Sequence, residues 1–589
     1  MLRNHLRLTG LSLLSVGLVT AACSDDSTDG SADEAADSTA DSTADTDTTM
    51  DSGEGSTSMG TTETDSDDDI TADTTADSTT ADTTADSTDM GETTADTTAD
   101  ETTDTTDTTE EGPFCQPGSS VCADASSVQT CLDDGSAYGD PVPCEDTEEC
   151  SAGACVPQCE LIQANPSSIG CSFFANRMDN YSATENDSLV VGNISSDTAV
   201  TAQLYFVPNN SSAEQAQGSA VEIAPEGTYT FTLTNAQIES TTTVRQGGVY
   251  RLETNLPVVA YQHSPIGSVY TNDASMLLPE HALTGNYVVS SYPATIGSYP
   301  SYFTAIAIAD GTTVDFTVPE ATAGGGGVSA LAAGESTQVM LDRYDTLNVV
   351  VSQQTGGDLS GTVISSDQPL WLVGATECAN VPNSATALYC DHMEEAILPL
   401  EYWGQEYVGP HAPYRSGNED FHWRVYSGED GVTITTDPVQ TGFPVQLDKG
   451  EYYQFSTDES FVVTGDGPFM PVQYLEGTTG GANDGDPSMY QMVPTAQFLD
   501  TYAFVTGEDY PTHWAQIIRP AGGSDVSIDG TVVGGYYTVG SYEVADVSIS
   551  EGSHFATSDQ PFGIISVGYS PATSYAYPGG LKLEVINPQ

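Results

Sequence analysis

From about Leu161 onward, apolar and polar positions alternate over short runs that each stop at a turn. The run Tyr302 to Ile308 (YFTAIAI) and the triplet Val349 to Val351 are examples, and turn signals such as Asp310-Gly311, Glu429-Asp430-Gly431 and Asp529-Gly530 punctuate the chain. A period of two broken by Gly and Asp predicts half-buried strands joined by tight turns. No long stretch carries a 3.6-residue apolar period, so helices should be few and short. The pattern predicts an all-β body.

The pattern also repeats. A unit of roughly 90 to 110 residues recurs about four times, and its end is the clearest part: a strand, a turn closed by proline, then an apolar strand, at Pro257, Pro369, Pro468 and Pro561. Proline presets φ for such a turn and has no amide to lose from a ladder there. The start of the unit recurs as well, with Asn286-Tyr287, Glu406-Tyr407 and Thr501-Tyr502 each followed by an aspartate-led strand. A unit of this length holds seven or eight short strands, which suits a two-sheet sandwich better than a four-stranded propeller blade. The expectation is a row of tandem β-sandwich-like repeats, with a propeller-like closed β array as the alternative. Between units lies a third recurrence: NDASMLLP at 272–279, CDHMEEAILP at 390–399 and DPSMYQMVP at 486–494. Acidic residues ahead of an apolar turn and a proline, among them Asp273, Asp391, His392, Glu394 and Glu395, predict a connector whose polar groups cap backbone amides.

The first 112 residues follow another pattern. Basic Arg3 and Arg7 precede an apolar run from Leu8 to Ala22, then Cys23. This is the layout of a secretory signal, and the run is short for a membrane span of about 20 residues. Cys23 directly after Ala21-Ala22 resembles a bacterial lipobox, with Thr20 departing from the usual leucine. It predicts a signal peptide over 1–22 and lipidation of Cys23. Residues 23–112 are Asp, Thr, Ser, Ala and Glu, with TADTTADST-like repeats, and lack the apolar side chains that would offset the entropy of ordering. The reading is a disordered acidic stalk, spanning about 50 Å or more as a coil. The expected location is the outer membrane or cell surface of a Gram-negative bacterium, anchored through an N-terminal lipid.

Charge narrows the partners. The formal net charge is −75, and residues 24–112 account for 29 acidic and no basic side chains. The other 57 acidic groups face nine basic ones between Arg177 and Lys582, leaving the rest of the exported chain near −48. Nucleic acid, which needs clustered Lys and Arg, is disfavoured. Apart from Cys23, ten cysteines remain, the even number expected of disulfides in an exported protein. Cys115, Cys122, Cys131, Cys144, Cys150, Cys155 and Cys159 fall in a module over 113–160 with too little apolar matter for a core, so covalent staples must hold it. Cys171 is expected to take the odd cysteine of that set, and Cys378 and Cys390 to close a loop on themselves. The β domain is then 161–589.

Catalytic signatures are missing: there is no nucleophile elbow, phosphate loop or zinc helix. Asp391, His392 and Glu395 could share a proton or hold a metal, although pinning the connector explains them as well. Asp484-Gly485-Asp486 alternates oxygen ligands as calcium sites do but lacks the rest of an EF-hand loop, so a turn is preferred. His411, His422 and His513, near Trp403, Trp423 and Trp514, could line an aromatic groove or simply occupy strand positions. No catalytic residue, metal ligand or cofactor is assigned.

Several of these stretches resemble the N-terminal domain family of IgGFc-binding proteins, found in bacterial surface lipoproteins and in an animal mucus protein. The matching segments are Ser168 to Phe174, Ala260-Tyr261-Gln262 through Ser275 to Pro279, Cys378 to Pro382 with Cys390 to Glu395, and Ser574 to Gly580. They span nearly the whole body in the family's order. The resemblance implies an extracellular binding domain and brings no catalytic set. The expected function is a lipid-anchored surface binding or adhesion protein, non-catalytic, facing an extracellular protein or glycan. The alternatives are an extracellular hydrolase working at Asp391 and His392, or a passive envelope scaffold.

Overall fold

The computed structural model describes residues 113–589, apart from residues 183–184, 239, 267–270, 296–297, 354, 388, 416–418 and 479–483. The signal segment, Cys23 and the acidic run lie outside the described residues. Helix among the described residues amounts to one four-residue turn, Gln158–Leu161, and four 3-10 turns. Everything else regular is strand. The N-terminal cysteine-rich segment pairs Ser120–Asp124, Ser127–Thr130 and Val142–Pro143 in one sheet and Glu148–Ser151 with Ala154–Pro157 in a hairpin. It buries hardly any apolar side chains besides Cys115 and Cys131, which is the situation in which disulfides must replace a core.

Four two-layered units follow. In the second unit one layer contains Ser301–Ala307 and Leu370–Ala379 and the other Thr312–Thr317 and Val363–Ser366; the third repeats this with Phe421–Ser427 and Phe469–Tyr474 against Val432–Asp437 and Phe461–Gly465. Thr312–Thr317 and Val432–Asp437 alternate inward apolar and outward polar residues, whereas Ser301–Ala307, Leu370–Ala379, Phe421–Ser427 and Phe469–Tyr474 are buried along their whole length, so one layer faces solvent and the other is covered on both faces. The turn aspartates have an evident task. Thr313 N donates to Asp367 and Thr433 N to Asp466, each at 2.7 Å, and Gly311 N and Gly431 N donate to Asp342 and Asp448.

At the proline junctions the structure departs from the sequence reading in half of the cases. In the second and third units the chain breaks between strands at Pro369 and Pro468, as a turn would. In the first and fourth units Val249–Ser264 and Ser553–Ser570 run on as single strands of 16 and 18 residues that serve both layers. Pro257 sits where the pairing jumps between Glu253 and Val258, so it marks a bend within a strand rather than a turn between two.

The three recurrent connectors are themselves regular elements. They are fully buried strands: Asp273–Met276, Asp391–Ala396 and Met489–Gln491, and Thr573–Pro578 is the fourth of the set. Each lies antiparallel to the long strand of its own unit, pairing Tyr261 with Met276, Thr376 with Met393, Tyr474 with Met489 and Val567 with Ala576. Just beyond, one backbone bond recurs in all four: Leu277 N to Ala260 O, Ile397 N to Leu372 O, Met492 N to Pro471 O and Gly579 N to Ile564 O, at 2.9–3.0 Å. After the first three, a proline leads into a 3-10 turn that starts the next unit.

The connectors also touch one another in a cycle: first with second, second with third, third with fourth, fourth with first. The two-sheet units therefore close into a ring around their own connectors. Closure is completed by the last segment, where Leu581 N donates to Ser168 Oγ and Ser168 N to Leu581 O. Tyr261 and Tyr577 pack at 4.5 Å across the joint between the first and fourth units, and Tyr261 donates to Gly579 O. Buried Trp371, Trp403 and Trp423 extend the apolar packing through the second and third units, each contributing about 3 kcal/mol or less by area.

Candidate functional site at the ring centre

Because the connectors begin alike, closing the ring draws their first residues together. Asp273 is the organising group. Its Oδ1 accepts Ala274 N and Ser488 Oγ, and its Oδ2 accepts Glu394 N and Met489 N, at 2.6–3.1 Å. One carboxylate thus joins the first, second and third connectors. Ser275 Oγ adds a donor bond to Glu394 O and accepts Ala396 N, and Gln491 N donates to Glu395 Oε1. The sequence reading placed these acids on backbone amides, and the bonds of Asp273 and Glu395 are of that kind.

Asp391, His392, Glu394 and Glu395 all lie on the second connector and all are buried. Asp391 Oδ1 accepts His392 N at 2.9 Å, while Oδ2 has no hydrogen-bond donor. Neither oxygen of Glu394 has one, and His392 Nε2 stands 3.6 Å from Glu394 Oε2, beyond hydrogen-bonding reach. Burial pushes the carboxyls of Asp273, Asp391, Glu394 and Glu395 well up. For Asp391 the charges of Asp486 and Asp273 add to it, and for Glu394 those of Asp187, Asp273 and Glu395. Burial drives His392 the other way, to about 3, so its imidazole is neutral at physiological pH.

A general acid or base must reach a substrate, yet Asp391 and His392 are wholly enclosed. Two surface cavities of about 470 and 450 Å³ lie elsewhere, one along Asp529, Asp546 and His554 and the other along Arg251, Glu280 and His281. The hub's hydrogen bonds tie the first three connectors to one another.

The cysteines pair as Cys115–Cys131, Cys122–Cys150, Cys144–Cys155, Cys159–Cys171 and Cys378–Cys390. Cys159–Cys171 fastens the short helix to the first strand of the ring, and Cys378–Cys390 closes the loop ahead of the second connector. Cys144, Cys155 and Glu148 lie close enough to suggest a metal, but both sulfurs are spent in the disulfide. Asp484 and Asp486 part company: the former is exposed and the latter buried, so that tripeptide alone cannot wrap an ion. The His and Trp set forms no common groove. His422 bonds Ser456 and His513 bonds Tyr575, both buried in strands, while His411 stacks on Tyr537 at 5.0 Å and packs beside Tyr414.

Sequence reasoning missed the hub's partners. Asp187, Gln262 and His263 line the first unit's side of it, and Ser488 and Gln491 the third's. The signal was available as polar residues at fully buried strand positions: Gln262 pairs with Ser275 across the ladder, so it had to face whatever the connector faced. Arg424 was also missed. Its burial against Asp358, Ser360 and Ser291 O joins the second and third units and has no local signature.

A protein-family model described as IgGFc binding protein matches residues 273–568, a span that opens on Asp273 itself and takes in the first three connectors. The human IgGFc-binding protein is 23% identical over 327 residues, which is 54% of this chain and 6% of that protein. The chain thus corresponds to a small part of its curated relative's length. A solved structure, the BSP domain of a biofilm associated protein, aligns over 70% of this chain and 96% of its own at 7% identity, with a TM-score of 0.14, too low to convey a likeness of fold.

Proposed function

The chain belongs to the IgGFc-binding family, and from that premise we propose an extracellular, non-catalytic binding protein that meets its partner with one end of the ring. The observation that carries this is a set of exposed tyrosines. Tyr181, Tyr389 and Tyr414 are 50, 57 and 44% exposed. Tyr181 follows Asn180, whose amide donates to Ser264 O and Thr271 O at the entry to the first connector. Tyr389 immediately precedes Cys390 and the second connector. Tyr414 precedes Arg415, which donates to Glu476 O and Asp484 O at the entry to the third. The tyrosines therefore stand at the same end of three successive connectors. Tyrosine supplies large, rigid contact area with a polar tip and is enriched in binding surfaces. The partner is a protein or a glycan on a cell surface or in secretions. We extend the proposal to a lipid on Cys23 that anchors the chain in a bacterial outer membrane.

The test uses the full mature chain, immobilised, against immunoglobulin Fc, mucin glycoproteins and detergent extracts of host and bacterial surfaces. Saturable binding that is lost in the triple variant Tyr181→Ala, Tyr389→Ala, Tyr414→Ala, with thermal unfolding unchanged, is the expected result. Binding unaffected by the triple variant, or no saturable partner among these probes, would remove this reading. Anchoring is tested separately, by mass spectrometry of the N-terminal peptide and by release of Cys23→Ser into the medium.

A further inference from the structure

The second, third and fourth units build both layers in the same strand order and differ at the open side between the layers. In the second unit residues 318–335 separate Thr312–Thr317 from Ser336–Leu341. They fold over that side: Thr322 bridges to Val351, and Val328 and Leu331 are buried in the unit's core. In the third unit residues 438–444 lie between Val432–Asp437 and Val445–Leu447. They supply Phe443, whose buried ring packs on Phe455 at 5.0 Å and on Tyr453 at 5.5 Å. The fourth unit has no such segment. Val526–Ile528 passes to Thr531–Val532 through Asp529 and Gly530 alone. The consequence falls on the facing strand. Val349, Phe455 and Val547 hold the same place in their ladders, opposite Phe303, Trp423 and Ala515. Val349 and Phe455 are buried, whereas Val547 is only half-buried. So is Ile549 two residues on, where the second unit has buried Val351. The space left open is the cavity of about 470 Å³ beside Asp529 and His554.

Ile528 and Val533 line this cleft from one layer and Val547 and Ile549 from the other, and Val532 stands 59% exposed at its rim. Buried His554 fixes one end, its ring nitrogens 2.7 Å from Asp529 Oδ2 and 2.8 Å from Ser550 O. A Cβ on Gly534 would meet nothing within 4 Å, so the opening is unobstructed there. Thr531–Val532 is last in its layer and pairs, among the described residues, only with Val526–Ile528. Its outer edge therefore keeps backbone groups for another strand. We propose that the cleft docks an extended segment of a partner protein, which lies along Thr531–Val532 and inserts one bulky apolar side chain over Val547. The sister units define that anchor, because each fills the same place with aromatic or branched side chains of its own. Charge defines the flanks. Asp529 is 49% exposed at the mouth and no lysine or arginine lines the cleft, so basic residues beside the anchor are favoured. The chain's own residues 24–112, with 29 acidic and no basic side chains, suit it poorly. The cleft shares no residue with the tyrosines above, so the two proposals stand or fall separately.

The experiment displays random short linear peptides on phage, selects them on the immobilised full mature chain and removes those that also bind Gly534→Trp, whose added ring occupies the cleft. The expected yield is a family of peptides with an aromatic or branched apolar residue flanked by Lys or Arg. A synthetic member should bind wild type saturably. Exchanging its anchor for serine should weaken binding roughly ten- to hundredfold, the factor expected from burying one large apolar side chain. Bound peptide should slow amide hydrogen exchange at residues 531–533 and 547–549. No enriched peptide, or peptides that bind Gly534→Trp equally well, overturns the proposal. A wild-type chain that self-associates while Gly534→Trp stays monomeric assigns the cleft to a second copy and overturns it too. Should Gly534→Trp fail to fold, the exchange map decides by itself, since protection confined to other segments overturns the site.

Discussion

Arg424 and Asp273 occupy comparable places in the ring and are satisfied in opposite ways. Each is a buried charged residue reaching across unit boundaries. Around Arg424 everything is paired: Nη1 donates to Asp358 Oδ2 and Ser360 Oγ at 2.8 Å and to Ser291 O at 3.1 Å, and Nε donates to Gln454 Oε1. Tyr292, Tyr452 and Tyr474 present their rings at 4.4–5.4 Å. Around Asp273 the neighbouring charges are all of its own sign. It is held by four hydrogen-bond donors, while Asp391, Glu394 and Glu395 beside it retain oxygens with no donor. Where opposite charge is supplied, the socket is complete as built. Where only dipoles are supplied, the site stays dependent on protons. The difference teaches that in this acidic protein a buried arginine finds its counter-charge within the fold, whereas the buried acids must be relieved by hydrogen-bond donors or by protons.

The largest expected effect comes from the dipole-held side. Asp273→Ala leaves four buried donors without an acceptor, at about 1–3 kcal/mol each when unsatisfied, and should abolish cooperative folding or nearly so. Retention of most of the wild-type stability in urea unfolding would mean that water replaces the carboxylate freely and that Asp273 is not the organising group.

Second in size is Arg424→Ala. It strands Asp358 in a buried site, and breaking a buried pair from one side costs about 3–5 kcal/mol. The paired substitution Arg424→Met with Asp358→Asn should recover much of that loss, because a socket emptied of both charges has no orphan. If the pair is no better than the single change in denaturant unfolding, packing rather than charge explains the site.

These two sites also mark how far the sequence could be read. The all-β class, the repeat and the acid-led connectors are visible along the chain because period, proline and turn aspartates are local signals. Closure into a ring stands in the sequence only as the alternative to a row of sandwiches, since it depends on Leu581 meeting Ser168, more than 400 residues apart. The burial of the connectors was hidden for a related reason: DASM and DHME look like surface sequence, and only the ring gives them three neighbouring strands. Pro257 and Pro561 misled because a bulged continuous strand and a turn leave the same proline. Arg424 gave no cue, as its acceptors come from residues 291, 358, 360 and 454.

A smaller effect is expected at Asp187, on the first unit's side of the hub. Burial raises its carboxyl to about 7, against the pull of Met178 N, Ser264 and Arg177. An acid whose pKa is raised on folding binds its proton more tightly in the native state. Its stabilisation is therefore complete below its unfolded value of about 4 and is lost as pH rises to about 7. The difference in unfolding temperature between Asp187→Asn and wild type should grow in the variant's favour from pH 4 to 7 and then level off. His263 and His392, both lowered to about 3 by burial, oppose that trend in absolute profiles but are common to both proteins and cancel in the difference. A flat difference across this range would mean that Asp187 is ionised in the native state.

The finest distinction lies between Asp187 and Glu394. Both are buried acids, but Asp187 has donors and a neighbouring arginine, whereas Glu394 has neither, only like charges from Asp187, Asp273 and Glu395. Burial and those like charges raise its carboxyl, so its protonation favours the native state and that contribution is lost as pH rises through the folded-state pKa. Glu394→Gln keeps the shape and removes the charge, so it should match wild type at pH 4. Its advantage over wild type should grow as pH rises from 4 and reach a higher plateau than that of Asp187→Asn. Equal plateaus for the two variants would show that a donor unseen from the chain's own side chains serves Glu394 as well as Met178 N serves Asp187. The contrast between paired and unpaired buried charge would then have to be redrawn around solvent held inside the ring.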